Sequence, residues 1–366
     1  MRSSWLPFKL FIGVATVLCT AAITAHPLER TQTRFDVLIT NGRIVDGTGA
    51  SWFRGDVGIV GDRIAAIGSL ADAHANVRVD ATNQVVAPGF IDLLGQSEFN
   101  VLVDGRAASK ILQGVTTEVT GEGSSIAPVN DRLIEEMVAS AAHFGVAQDW
   151  RTLGDYFKRL EGRSHTTINV ATFVGADGLR NYVIGKDDRP ATAAELDRMK
   201  QLVAEAMQQG ALGLSTSLQY VPDRFASTDE IVELATVEKT LTRLKDPATR
   251  ERIKADMDDA SATTWENQWY GANGGGPGLV ADITVFDPAT IRDVSTFDNP
   301  RHSSTGVTQV FVNGRSVVAD GAITAERPGR PLRGPGYRAP GNAERAEHAE
   351  PDSLRSLPSL RSIVRH

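Results

Sequence analysis

Val86-Ala87-Pro88-Gly89-Phe90-Ile91-Asp92-Leu93-Leu94-Gly95-Gln96-Ser97-Glu98 is where this chain changes its pattern, and that change decides the fold. Before it, residues 34–88 alternate short strand-like runs with turn residues. After it, apolar β-branched runs recur between helical patterns: Val85 to Leu94, Val115 to Gly121, Thr167 to Val174 and Ala211 to Thr216. Their hydrophobicity is continuous rather than alternating, as in parallel strands covered on both faces. The helices between them announce their starts. Thr192 with Glu195 and Ser227 with Glu230 fit capping boxes, and Asp246 before Pro247 fits an N-cap with proline in the first turn. Residues 194–208 keep an apolar stripe at Leu196, Met199, Leu202, Val203 and Ala206, the face that would pack on a sheet.

The flanks are all-β in character. Phe35 to Thr40, Asn41-Gly42 and Arg43 to Val45 read as a hairpin, and Asp56 to Val60 runs into the turn Gly61-Asp62. Residues 281–320 repeat this grammar with Ala281 to Phe286, Val307 to Val312, the turn Asn313-Gly314, and Arg315 to Ala319. One β-sandwich completed by both ends of the chain accounts for this, since two separate small units would each bury little surface. The expected fold class is therefore α/β, an incomplete (β/α) barrel inserted in a small β-sandwich built from N- and C-terminal segments. The sandwich halves fall at 33–88 and 277–335, the barrel at 89–276, and a disordered tail at 336–366.

The barrel is called incomplete for two reasons. The stretch 89–276 falls well short of the about 250 residues that eight β/α units take. After Leu234-Ala235 the sequence passes straight into a second helical pattern, Thr236 to Lys245, with no strand between. Four parallel strands leave open edges, which would favour pairing with a second copy as a homodimer. The run Gly271 to Gly278 reads as a flexible junction.

With 366 residues, 41% hydrophobic and 23% charged, the chain has the composition of a folded globular protein rather than a disordered one. Residues 1–25 carry Arg2 and Lys9, then an apolar run ending in small residues, the layout of an export signal. Such a run is short for a permanent anchor, so the remainder is expected to be exported and free of the membrane. The single cysteine, Cys19, lies inside that segment, which removes disulfides and thiolate metal sites from consideration. The net charge of −7 becomes more negative once Arg2 and Lys9 are gone, and an acidic surface repels nucleic acid.

Asp36 to Gly49, Pro88-Gly89-Phe90-Ile91-Asp92, Gly114-Val115-Thr116-Thr117, Gly210 to Thr216, Ala281 to Pro288, Val312-Asn313-Gly314 and Arg327-Pro328-Gly329-Arg330 occur in this order. Together they resemble the amidohydrolase superfamily, in its branch of D-aminoacylases and N-acyl-D-amino-acid deacylases. The resemblance implies a sandwich with an inserted barrel, and hydrolysis of a carbon–nitrogen bond other than a peptide bond. It implies a small-molecule N-acyl amino acid as substrate, and a divalent metal, zinc, that ionises water and polarises the carbonyl.

Carried over residue by residue, the resemblance places Leu94 and Gln96 where the family has a pair of strand-1 histidines. The family's cysteine after strand 2 falls near Gly123, beside Glu122. The histidines after strands 5 and 6 and the aspartate of strand 8 find no counterpart. Leucine cannot ligate, and zinc prefers imidazole or thiolate to an amide oxygen. The seven histidines do not fill the gap. His26, His74, His302, His348 and His366 lie outside the barrel segment. His143 reads as a helix end and His165 precedes a strand, opposite to where barrel sites form.

Side-chain oxygens near strands 1 and 2 are the remaining candidates: Asp92, Gln96, Glu98 and Glu122 as ligands, with Glu118 nearby. An oxygen-only set would suit calcium, magnesium or manganese. Alternatively, Asp92 makes a structural hydrogen bond and the glutamates are solvated. Gly121-Glu122-Gly123-Ser124-Ser125 lacks the Lys-Ser/Thr ending of a phosphate loop and reads as a tight βα turn.

The functional expectation is thus an N-acyl-D-amino-acid deacylase-type hydrolase, impaired by its missing ligands and catalytic aspartate. A non-catalytic remnant or binding protein, and a cyclic-amide hydrolase resembling dihydroorotase, stand as alternatives.

Overall fold

The structure, a computed structural model, describes residues 34–237, 277–334 and 336–339. The segment read as an export signal, most of the helical pattern Thr236 to Lys245, the Asp246-Pro247 cap, most of the glycine-rich junction and most of the tail lie outside the described residues. Among the described residues no helix is long and apolar enough to cross a membrane.

The N-terminal strands are β1 (Phe35–Ile44), β2 (Phe53–Val60), β3 (Arg63–Gly68), β4 (Ala75–Asp80) and β5 (Val85–Pro88). Then come β6 (Phe90–Asp92), α1 (Asn100–Val103), α2 (Ala108–Ile111), β7 (Val115–Thr120), α3 (Asp131–Phe144), α4 (Leu153–Arg159), β8 (Asn169–Thr172), β9 (Val174–Gly175), α5 (Ala176–Val183), α6 (Ala193–Gln209), β10 (Leu214–Ser215) and α7 (Thr228–Ala235). The C-terminal strands are β11 (Ile283–Phe286), β12 (Val307–Val312), β13 (Arg315–Ala319) and β14 (Ala322–Ile323).

Strands from both flanks share one nine-stranded sheet, in the order β14-β13-β12-β11-β5-β1-β2-β3 with β4 also on β1. The seam is β5, parallel to β1 and antiparallel to β11, with Val86 opposite both Ile44 and Val285. Between the flanks, β6-β7-β8 form a parallel three-stranded sheet, and β9-β10 continue it as a parallel pair. The four apolar runs of the sequence are these strands.

One expectation is corrected. Asn41-Gly42 is not a hairpin turn: β1 runs straight through it, and the pairing with β2 shifts register between Ile39 and Gly42. Asn41 takes a positive φ of 64° and its N–H donates to the Asp56 carboxylate at 2.9 Å. A side chain at Gly42 would have its Cβ 2.5 Å from Val86, so glycine here lets β5 lie close. The pair supplies a β-bulge, which needs the same left-handed backbone as a turn. Asn313-Gly314, with φ of 47° and 76°, does make the tight turn between β12 and β13.

The helix signals divide in the same way. Thr192 and Glu195 close a full capping box on α6, whose Met199, Leu202, Val203 and Ala206 are buried. Ser227 caps α7 from the Glu230 N–H, but the Glu230 side chain leaves the box. It pairs instead with Arg180 of α5, at 2.6 and 2.9 Å, both side chains being buried. A buried guanidinium outcompetes a solvent-facing backbone amide for that carboxylate.

Two apolar cores result. Val37, Ile39, Ile59, Val86, Ile283 and Phe311 fill the sheet, while Trp150, Phe157, Val174, Leu179 and Leu202 pack behind the parallel strands. β12 belongs to both, giving Phe311 to the first and Val310 and Val312 to the second. A polar knot joins them beside the seam. The Asp282 carboxylate accepts from Asn313 N–H at 2.6 Å and Asn169 Nδ2 at 2.8 Å, and Asn313 Nδ2 donates to Asn169 Oδ1 at 2.8 Å.

Candidate functional site

Open α/β sheets bind ligands beyond the carboxyl ends of their strands, where loops rather than regular backbone set the chemistry. Here those ends carry the loop after β7, the start of α5 and the loop after β10. Gly121 and Gly123 hold φ of 86° and 66°, turning the chain sharply after β7. Gly123 N–H donates to Ser215 Oγ at 3.1 Å, and the Ser215 hydroxyl donates to Gly121 O. Ser125 Oγ accepts from Gly175 N–H at 3.1 Å, and Gly123 O accepts from Asp177 N–H at 3.0 Å. A Cβ at Gly175 would lie 2.0 Å from Gly123 O, so only glycine lets the two loops meet. The sequence Gly121 to Ser125 is thus the βα turn it resembles, pinned to the strands on its far side.

Two aspartates meet at this end. Asp223, fully buried, accepts from Thr216 Oγ1 and Ser217 N–H through Oδ2, both at 2.6 Å, while Oδ1 has no hydrogen bond. Its N–H donates to Asp177 Oδ1 at 3.3 Å. Burial, and then the charge of Asp223, raise the Asp177 carboxyl above its ordinary range. A half-buried acid beside an orphaned carboxylate oxygen can hold a proton or accept hydrogen bonds from a ligand.

The residues read from the sequence as ligands do not meet there. Asp92, at the end of β6, accepts from Lys110 Nζ at 2.5 Å and Leu94 N–H at 3.1 Å. Burial opposes its charge, but Lys110 and the Leu94 N–H outweigh it and hold the carboxyl below its ordinary value. Glu118 lies inside β7, opposite Asp92, fully buried, with Lys110 Nζ 3.4 Å from Oε1. Glu98 is partly covered and near Glu118, and burial first, then that charge, push it up. Gln96 and Glu122 are exposed, as is Leu94. His143, at the end of α3, and His165 are exposed as well.

Zinc does not fit the residues described. Among them no group of three or more His, Cys, Asp or Glu side chains could hold a metal ion. Residues 238–276 contain neither histidine nor cysteine.

Sequence reading missed Lys110, Asp177 and Asp223. Lys110 looked like one more charge on a short helix, and only β6 and β7 lying side by side reveal its two carboxylate partners. Asp177 could have been found, because it stands in the first turn of the helix that follows a strand end.

No family model matches the chain. The D-aminoacylase of Alcaligenes xylosoxydans xylosoxydans is 39% identical over 208 residues, which is 55% of this chain and 41% of that protein. The N-acyl-D-glutamate deacylase of the same organism is 37% identical over 207 residues, 56% of this chain and 42% of that protein. The chain thus matches only 41% and 42% of the length of these relatives. A crystal structure of D-aminoacylase, described as defining a novel subset of amidohydrolases, superposes with a TM-score of 0.66 at 23% identity, covering 82% of this chain and 100% of that one. The N-acyl-D-glutamate deacylase of Bordetella bronchiseptica, solved with zinc and a phosphonate inhibitor, gives the same score, identity and coverage. The likeness is one of fold, and the expected α/β class is what the molecule has.

Proposed function

We propose that this chain, a relative of the D-aminoacylases and N-acyl-D-amino-acid deacylases, acts on the carbon–nitrogen bond of an N-acyl-D-amino acid, using a (β/α) barrel that stops short of eight strands. The observation that carries this reading is the 39% identity to a D-aminoacylase across 208 residues. Four parallel strands in chain order, inserted between the two halves of one sheet, agree with it. In this reading residues 33–88 and 277–335 make the sandwich and 89–276 the short barrel.

Substrate would lie across the strand ends, where Ser124, Ser217 and the Asp177–Asp223 pair offer hydrogen bonds and one mobile proton. Because the residues present do not fit zinc, no step is routed through a metal. The open edges of β6 and β10 suit pairing with a second copy.

The test is metal analysis of the purified full chain, together with release of free amino acid from N-acetyl-D-amino acids. Turnover of at least one such substrate is expected. Absence of turnover on all of them, with no metal bound, overturns catalysis and leaves a binding protein, the reading that Leu94 and Gln96 favour. Sizing chromatography is expected to give a discrete dimer, and a monomer would remove the paired-edge proposal.

A further inference from the structure

The parallel strands are unevenly covered. Every residue of β8 is buried, and so are five of the six in β7, whereas none of the five residues in β6 and β10 is. Strands of a parallel sheet are ordinarily covered on both faces, so these two outer strands each lack a neighbour. Large apolar side chains stand exposed at both: Phe90 in β6 with Leu93 and Leu94 just after it, and Leu218, Tyr220 and Val221 just after β10. Each outer strand also presents a row of backbone N–H and C=O groups that no strand receives among the described residues. Such apolar patches beside unpaired backbone mark a protein-binding surface. Residues 238–276 do not read as the neighbour, since Ile253 is their one isoleucine and they have no valine, unlike the apolar β-branched runs that became β6 to β10.

Direction and number narrow the occupant further. β6, β7, β8–β9 and β10 all pair in parallel, so a strand that continues the pattern at either edge must run the same way. A second copy related by a two-fold axis along the strands meets both demands at once, its β6 against β10 and its β10 against β6. Pairing like edges, β6 with β6, would leave both β10 edges open. With β8 and β9 counted as one strand, each copy brings four, and two copies bring the eight that close a parallel barrel with a filled interior.

We propose that two copies of this chain close one eight-stranded barrel through unlike edges, so that the mouth at the strand ends is walled by both. Ser217 and Asp223, after β10, then stand beside Gln96 of the partner subunit, which follows β6. This rests on the paired-edge reading above, and adds to it which edges meet and that neither copy holds the whole mouth alone.

Chemical cross-linking of the full chain in a Cys19→Ser background tests it. Leu94→Cys and Leu218→Cys, both at exposed positions, are prepared separately and also co-expressed with different tags, and each sample is treated with a short bismaleimide. Cross-linked dimer is expected from the co-expressed pair, joining one tag to the other, and none from either variant alone. Leu94→Arg should convert the dimer to monomer in sedimentation velocity, with circular dichroism unchanged. Cross-linking of either single variant as fully as the pair overturns this arrangement, as does a dimer whose co-expressed pair gives no cross-link, and in both cases an edge-paired dimer survives. A monomeric parent overturns the arrangement and the paired-edge reading together. Deacylase turnover bears on neither result.

Discussion

In the nine-stranded sheet, β5 has β1 on one side and β11 on the other, so strands from opposite ends of the described chain complete each other. Its β3 edge is met by an isolated bridge between Arg63 and Val280. In the parallel set, β6 and β10 each have one side without a strand partner among the described residues. Apolar side chains accompany those edges: Leu93 and Leu94 after β6, and Leu218, Tyr220 and Val221 after β10, are exposed. The first region is closed by backbone pairing. The second is held by a few polar pins, Arg180 to Glu230 and Ser215 to the loop after β7, and by helices packed on one face. A sheet that satisfies its own backbone tolerates loss of a side chain as a cavity, whereas a pinned set loses the relation between its elements.

The sharpest way to break this contrast is Arg180→Ala. Leaving Glu230 buried without its partner should cost about 3–5 kcal/mol, read as a lower urea midpoint, with α5 and α7 amides losing hydrogen-exchange protection first. Replacing both partners by methionine should recover most of that loss. If protection falls equally in β1 and β11, the two regions are not distinct.

Phe311→Ala probes the closed sheet on the same scale. Removing this buried ring should also cost about 3–5 kcal/mol, but as a single cooperative transition with no early loss in α5 or α7. A separate early transition would show that the sheet is the weaker partner.

The polar knot at Asp282 gives a smaller and pH-dependent effect. Burial pushes its carboxyl from 3.8 up to about 6, against the hydrogen bonds from Asn313 and Asn169. A carboxyl raised on folding binds its proton more tightly in the native state. Its contribution is therefore complete below the unfolded value and is lost as pH rises through about 6. The window is worth about 3 kcal/mol at most. Subtracting the stability curve of Asp282→Asn from that of the parent between these pH values should leave a descending slope, and a flat difference would remove Asp282 as its cause.

Thr192→Ala, which deletes one half of the α6 capping box, is expected to cost about 1 kcal/mol. Urea titration suffices to measure it, and a loss several times larger would mean that Thr192 does more than cap.

Much of this fold was legible because its signals are local. Continuous apolar runs marked the four parallel strands, and Thr192 with Glu195 marked a real helix start. The failures are instructive in the same terms. Asn41-Gly42 and Asn313-Gly314 are the same dipeptide with the same backbone preference, yet one is a bulge and the other a turn. What separates them is β4 and β5 lying beside β1, a fact outside any short window. Ser227 with Glu230 looked like Thr192 with Glu195, but Arg180 claimed the glutamate. The candidate site suffered most, because Lys110 acquires meaning only when Asp92 and Glu118 stand opposite each other in register.

The seam at β5 also bears on the order in which the molecule can be made. Val86 needs Val285 as its neighbour, and more than half of the described chain is synthesised between them. At about 5–20 residues per second, the first strands leave the ribosome many seconds before their partner exists. They must stay unaggregated through that interval, and the parallel strands emerge while the larger sheet is still unfinished. Distant pairings of this kind slow folding, so the step that closes the sheet comes last in the life of each new chain.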